Sequence, residues 1–276
     1  MSAHTAIATP TGASALMLLR KDIAGVAVLT LNQPQNRNAL SEIMLQALGD
    51  ALTAIAHDQS VRAVVLAANG PAFCAGHDLK ELSRHRSEDD GGRAYFKHIM
   101  TMCSTMMQQI VNLPQPVVAA VQGPASAAGC QLVATCDLAI GSKVAKFATP
   151  GVHIGLFCST PMVALSRDVA RKHAMEMLLT GDLISAEEAA RIGLINRVVA
   201  NGRERDAAIE LARGIAEKSA MTVKLGKQGF YRQLEMPLAD AYEYVTEVMV
   251  ENMLKHDAAE GIGAFIDKRE PKWEDR

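Results

Sequence analysis

Val121-Gln-Gly-Pro-Ala-Ser-Ala-Ala-Gly-Cys-Gln131 is the stretch on which the reading of this chain turns. It follows an apolar run, Val117 to Val121, and leads into a helical stretch from about Ala128 to Thr135, so a strand hands over to a helix through residues without bulk. A junction of this kind lets a ligand approach backbone N–H groups. A second one lies upstream, Pro71-Ala-Phe-Cys-Ala-Gly-His-Asp-Leu-Lys-Glu-Leu82, where Asp78 and Glu81 have capping-box spacing and the N–H groups around His77 to Leu79 fall at or near a helix start. Two such donors can converge on one oxygen. For either segment taken alone, a tight turn with close helix packing is the favoured account on spacing.

Outward from these segments, Leu16 to Arg20 and Val26 to Leu31 are β-type runs separated by Asp22 to Gly25, the pattern of a hairpin. From Ser41 to His57 apolar residues recur at helical spacing behind Ser41 as N-cap. Ala63 to Ala67, Val117 to Val121 and Leu138 to Ile140 are short and continuously apolar, as strands covered on both faces are. With a helix over about Arg93 to Leu113, strand and helix alternate, which favours right-handed parallel crossovers. Beyond Thr160 almost every segment reads as helix. Ser185-Ala-Glu-Glu188 is a capping box with Gly193 placed to end its helix, and helices follow over Arg205 to Lys218, Met221 to Leu234, Leu238 to Lys255 and Asp257 to Lys268. The expected organisation is a flexible N-terminal arm over residues 1–15, a layered β/α core over 16–200 and a helical region over 201–276, with no linker or repeat between them.

Composition narrows the partners. The 276 residues are 49% hydrophobic, enough for a large core without staples. Lys plus Arg (28) against Asp plus Glu (30) leave a formal charge of −2, so no basic excess exists to neutralise a phosphate backbone, and nucleic acid is not an expected partner. Cys74, Cys103, Cys130, Cys136 and Cys158 are odd in number, form no CxxC pair and sit among apolar neighbours, so they read as reduced core thiols with no metal site. The first nineteen residues hold no Lys or Arg, unlike a signal or transit peptide, and no apolar run approaches the roughly twenty residues of a membrane span. A soluble protein without a membrane partner is expected, cytoplasmic if bacterial.

The common nucleotide and hydrolase signatures (Walker A, GxGxxG after a strand, GxSxG, HExxH) do not occur. What does occur, in order, is Asn32-x-Pro-x-x-x-Asn38-Ala39-Leu40, Ala72-Phe-x-Ala-Gly-x-Asp78, Ala127-Ala-Gly-Cys-x-Leu132 with Cys136-Asp137, Phe147-Ala-x-Pro150 with Gly155, and Gly181 through Gly193-Leu194 to Gly261-Ile-x-Ala-Phe265. This set resembles the enoyl-CoA hydratase/isomerase (crotonase) superfamily over about Leu16 to Lys272. Ser126-Ala-Ala-Gly-Cys-Gln-Leu-Val-Ala and Thr149-Pro-Gly-Val-x-Ile-Gly-Leu-Phe-Cys-Ser-Thr-Pro161 resemble its domain-containing-protein-three branch.

The resemblance implies an α/β crotonase-like (ClpP/crotonase) spiral of ββα units whose C-terminal helices support a homotrimer or a dimer of trimers. It implies a coenzyme A thioester as substrate, with no separate cofactor, held by an oxyanion hole made of the N–H groups of His77 and Ala128. Cys74, Ala75, Asp78 and Leu79 would border the coenzyme A, Arg37 would meet its phosphates, and Phe265 and Lys268 match positions that contact the nucleotide from a neighbouring subunit. An exposed Lys and a helix-packing Phe are the alternative for the last two. At the two positions where hydratases of the family carry glutamates, this sequence has Gln131 and Gly151, neither of which can exchange a proton at neutral pH. His153 and Cys158 are the substitutes the sequence offers, each open to a structural reading instead. Two functions follow as expectations: an enolate-stabilising acyl-CoA enzyme with weak or altered hydratase activity, or a non-catalytic acyl-CoA-binding protein of fatty acid metabolism.

Overall fold

Nine strands occur among residues 17–276, which the computed structural model describes; the expected arm over residues 1–15 lies outside them. They are β1 (Leu18–Ile23), β2 (Val26–Leu31), β3 (Ala63–Ala68), β4 (Val117–Val121), β5 (Ala125–Ser126), β6 (Leu138–Ser142), β7 (Lys146–Ala148), β8 (Ile184–Ser185) and β9 (Arg197–Val199). The main sheet runs β1-β2-β3-β4-β6-β9. Only the β1–β2 hairpin is antiparallel; its turn is Ala24-Gly25, both at positive φ, and every later pairing in the sheet is parallel.

The continuous apolar runs have the cause expected of them. Val64 and Leu66 of β3 face one core with the helices Glu42–Ala56 and Arg93–Asn112, while Ala63, Val65 and Ala67 face a second with Ala208 and Ala212 of the helix Glu204–Ala216. Side chains alternate across a strand, so a sheet sandwiched between helices needs apolar residues at every position. Ser41 caps its helix by accepting from the Met44 N–H.

Two sequence expectations are corrected here. The region beyond Thr160 is not all helix: β8 and β9 interrupt it, the latter as the edge of the main sheet. Neither capping box is reciprocal. Asp78 accepts from the Lys80 and Glu81 N–H groups, but Glu81 instead accepts from the Glu42 N–H at 3.0 Å; Ser185 accepts from Glu188 N–H, but the Glu188 carboxylate is taken by Arg191.

The second sheet, β5-β7-β8, positions the site. It is extended through isolated parallel bridges, Cys74 with Ala125 and Leu40 with His77. The first small-residue segment therefore runs as a rung between the Leu40 loop and β5.

Candidate active site

The two small-residue segments meet edge to edge. Phe73 N–H donates to the Pro124 carbonyl (3.0 Å) and Ser126 N–H to the Cys74 carbonyl (2.9 Å). Approach is so close that a Cβ on Gly129 would collide with the Cys74 carbonyl oxygen. Gly76, at φ +92°, turns the first segment over the second, and a Cβ there would lie 3.0 Å from the Ser126 oxygen and 3.2 Å from the Ala128 nitrogen. Ala128 opens the helix Ala128–Thr135, whose first internal bond runs from Gln131 N–H to the Ala127 carbonyl. Ala127 holds φ 49° and ψ −118°, a conformation L residues rarely adopt, which sets the direction of the helix start. Among the described residues neither the His77 nor the Ala128 N–H has a backbone acceptor.

The side chains around these amides are largely spent on structure. Cys74 is buried and its thiol is pushed up to about 12 by burial. Asp78 is occupied as the N-cap of the helix Leu79–Arg84, on which Leu79 is exposed. Among the described residues the buried His77 ring nitrogens have no hydrogen-bond partner; burial holds this imidazole below its usual pKa, against the nearby Leu40 backbone, which favours the charged form. Ala75 is exposed, and its N–H donates to the carbonyl of Arg37, itself exposed and left-handed at φ 52°.

Gln131 and Gly151, where the sequence resemblance leads one to look for carboxylates, differ in kind. Gln131 is 5% exposed, and its Oε1 is buried with no partner. Gly151 has no positive φ, so its backbone would accept a side chain; the obstacle is space. A Cβ there would lie 2.8 Å from the Leu156 carbonyl oxygen and 2.9 Å from Cys158 Sγ, because the loop folds back and Leu156 N–H donates to the Gly151 carbonyl (2.9 Å). The buried Cys158 thiol, raised by burial and lowered by the Gly151 N–H, thus stands beside Gly151. His153 is turned away to another task, with Nε2 2.8 Å from the Thr180 carbonyl at the end of the helix Arg171–Thr180. Phe265 is 86% exposed and Lys268 is an exposed left-handed cap at the end of the helix His256–Asp267.

Known proteins share this fold. A family model described as enoyl-CoA hydratase/isomerase matches residues 21–276. This chain belongs to that family. Within the enoyl-CoA hydratase/isomerase family, the rat mitochondrial enoyl-CoA hydratase domain-containing protein 3 is 47% identical over 249 residues, 90% of this chain and 81% of that protein. The human one is 45% identical over 253 residues, 92% and 82% of the two chains. The solved structure of human enoyl-CoA hydratase domain-containing protein 3 superposes with a TM-score of 0.88 at 44% identity, covering 93% of this chain and all of that one. An enoyl-CoA hydratase of Mycobacterium smegmatis gives 0.89 at 51% identity, over 93% and 98%. The fold is the crotonase fold, and the resemblance to the domain-containing-protein-three branch holds over most of the chain.

The expected cytoplasmic location is overturned: the rat, human, mouse and Xenopus relatives are all named mitochondrial. The buried free thiols pointed only to a reducing compartment, which does not single out the cytoplasm.

Sequence reasoning missed Asn38 as more than a motif letter, and missed the loop over Gly151. The motif spacing Asn38-Ala39-Leu40 signalled the first; nothing local signalled the second.

Proposed function

We propose that the chain binds an acyl-CoA thioester with its carbonyl oxygen between the N–H groups of His77 and Ala128 and stabilises the enolate formed from it, while hydrating enoyl-CoA slowly. The observation that carries this reading is the contact of two segments, each ending in an N–H without a backbone acceptor, with Gly76 wedged against the Ala128 nitrogen. One such preorganised donor is worth about 2.7 to 4 kcal/mol in other enzymes, so two stabilise the enolate substantially once a base has taken the α proton. Slow hydration follows from Gln131 and Gly151. Adding water needs a base for the water and an acid for the α carbon, together worth at least about a hundredfold, and neither residue supplies one.

The other groups take supporting places. Cys74, Ala75, Asp78 and Leu79 border the coenzyme A, and Arg37 faces its phosphates. Lys268 and Phe265 reach the nucleotide of a neighbouring copy; their exposure, with that of Leu238, Tyr242 and Leu254, supports assembly as a trimer or a dimer of trimers. Cys158 is better placed than His153 to move a proton, since His153 already serves Thr180.

The orphaned Gln131 Oε1 and the covered Gly151 equally favour a second reading, a non-catalytic acyl-CoA binder. Butyryl-CoA in deuterium oxide separates the two. Protein-dependent deuterium uptake at the α carbon is expected from an enolate-stabilising enzyme; saturable binding with no uptake assigns the chain to the binder. Crotonyl-CoA hydration above about one turnover per second would overturn the claim of a disabled hydratase site.

A further inference from the structure

Resting on that reading, the structure shows how the first amide is aimed. A trans peptide holds its carbonyl and the following N–H on opposite sides of one plane, so whatever anchors a carbonyl also aims the next N–H. For the second donor the anchor is local: the Ala127 carbonyl is held by Gln131 N–H at 3.0 Å within the same helix, and Ala128 N–H points the other way. For the first donor it comes from far off in sequence. The Gly76 carbonyl is held by Leu40 N–H at 2.8 Å, and the preceding Ala75 N–H is tied to the Arg37 carbonyl at 3.0 Å. Residues 37–40 are therefore the device that aims the His77 N–H.

That loop is held in turn by one side chain. Arg37 and Asn38 are successive left-handed residues, at φ 52° and 51°, a conformation that ordinary side chains resist and that Asn tolerates. Asn38 is 0% exposed. Its Oδ1 accepts from Gln33 N–H at 2.8 Å, and its Nδ2 donates to the carbonyls of Asn69 and Ala72, both at 2.9 Å. The Ala72 carbonyl also accepts from Gln122 Nε2 at 2.9 Å, so Asn38 is joined at that atom to the segment that carries the other donor. Both donors and the acceptor of the amide are used, and each ends on backbone next to the site.

We infer that Asn38 is a positioning residue for the oxyanion hole, acting through the Leu40 N–H and the Gly76 carbonyl on the His77 amide without touching the thioester. A merely structural role would lower stability and leave the polarisation of bound thioester alone. The readout is therefore the infrared band of butyryl-CoA labelled with carbon-13 at its thioester carbonyl, bound to the full chain. In the wild type the band should move to lower frequency on binding. In Asn38→Gly and Asn38→Asp, which suit a left-handed backbone, that shift should fall by more than half and α-deuterium uptake by at least about tenfold. The shift is read at saturating butyryl-CoA, because Arg37 and Ala75 belong to the same loop contacts and, on the proposed reading, face the coenzyme, whose affinity can change with them. Val28→Ala, a truncation inside β2, should keep the full shift after a comparable loss of melting temperature.

Outcomes separate cleanly. A full shift in folded Asn38 variants overturns the positioning role and leaves the hole standing; no shift in the wild type overturns the hole itself, and this inference with it. Should the variants not fold, hydrogen exchange on the wild type decides. The Leu40 amide should be slowed as strongly as those of β3 with or without ligand, and the His77 amide only after butyryl-CoA is added. A Leu40 amide that exchanges at the rate of an exposed loop overturns the inference.

Discussion

Around the Cys74 carbonyl the chain lies backbone against backbone, whereas around Gly151 it is covered by a loop whose nearest atoms are a carbonyl and a thiol. The first region carries the paired amides, and its contacts are held by ladder bonds on both sides of the segment from Cys74 to His77. The second carries Gly151, on the proposed reading one of the two lost carboxylate positions, and there Cys158 and the Leu156 carbonyl fill the space of a side chain. The difference teaches which part of an inherited site resists change. Donors made of backbone are fixed by everything that fixes the fold, while donors made of side chains can be erased by substitution and closed over.

The sharpest way to break this comparison is to add one methyl group to each region. Gly129→Ala drives a Cβ into the Cys74 carbonyl, which the ladder cannot move, and should cost about 3 kcal/mol or more in urea unfolding. Gly151→Ala makes a milder overlap, 2.8 Å from the Leu156 carbonyl oxygen and 2.9 Å from Cys158 Sγ, and should cost clearly less. Equal costs would mean that the two regions are equally rigid.

Restoring the carboxylates tests the second region by its chemistry. Gln131→Glu with Gly151→Glu alone should gain little hydration, because the new Cβ lies 2.9 Å from Cys158 Sγ and the loop must be forced aside. Adding Cys158→Gly removes the thiol but leaves the Leu156 carbonyl oxygen 2.8 Å from the new Cβ, so the triple variant should hydrate crotonyl-CoA faster than the double one while staying below about a hundredfold over wild type. A double variant that already reaches that rate shows the cover over Gly151 to be soft.

A pH titration probes the first region through its one buried titratable ring. Burial keeps the folded-state pKa of His77 below its ordinary 6.5, so on acidification the unfolded chain takes up this proton first. The contribution of His77 to stability is thus fully present above pH 6.5 and is lost as pH falls from there towards the folded-state value, by at most about 1.4 kcal/mol per pH unit. His77→Gln should flatten that part of the profile between about pH 7.5 and 5.5, measured as the wild-type minus variant unfolding free energy. Identical profiles would mean that the ring is solvated. The smallest effect is expected of His153→Ala, which removes one exposed hydrogen bond to Thr180 and should cost about 0.5 to 1 kcal/mol, with α-deuterium uptake unchanged.

How much of this was legible in sequence depended on distance along the chain. The strands β2, β3 and β4 read directly, since burial on both faces leaves an uninterrupted apolar run. Asp78 read as a cap because its partners are two and three residues away. The second sheet did not read, since β5 and β8 are two residues each and no periodicity fits in so short a run. Glu81 looked like half of a capping box, yet its carboxylate goes to Glu42, 39 positions upstream. His153 looked like a proton donor, yet its partner is Thr180, 27 positions on. Asn38 stood in a recognised motif, but its reason lay 31 and 34 residues away in the carbonyls of Asn69 and Ala72. The obstacle at Gly151 is the loop above it, five to seven residues on, which no local pattern in the sequence signals.

The rung from Cys74 to His77 also bears on the order in which the molecule can assemble. Its neighbours are residues 37–40 on one side and 124–126 on the other, and β5 is in turn seated on Phe147 and Ala148 of β7. These are pairings across long stretches of chain, which form late because the loops between them must close first. A ribosome that has released only the first hundred residues has supplied both the Leu40 loop and the Gly76 turn, but nothing to hold them from the far side. Competence to polarise a thioester should therefore arrive in one step with completion of the second sheet rather than grow with the nascent chain, and partly made protein would leave the acyl-CoA pool untouched.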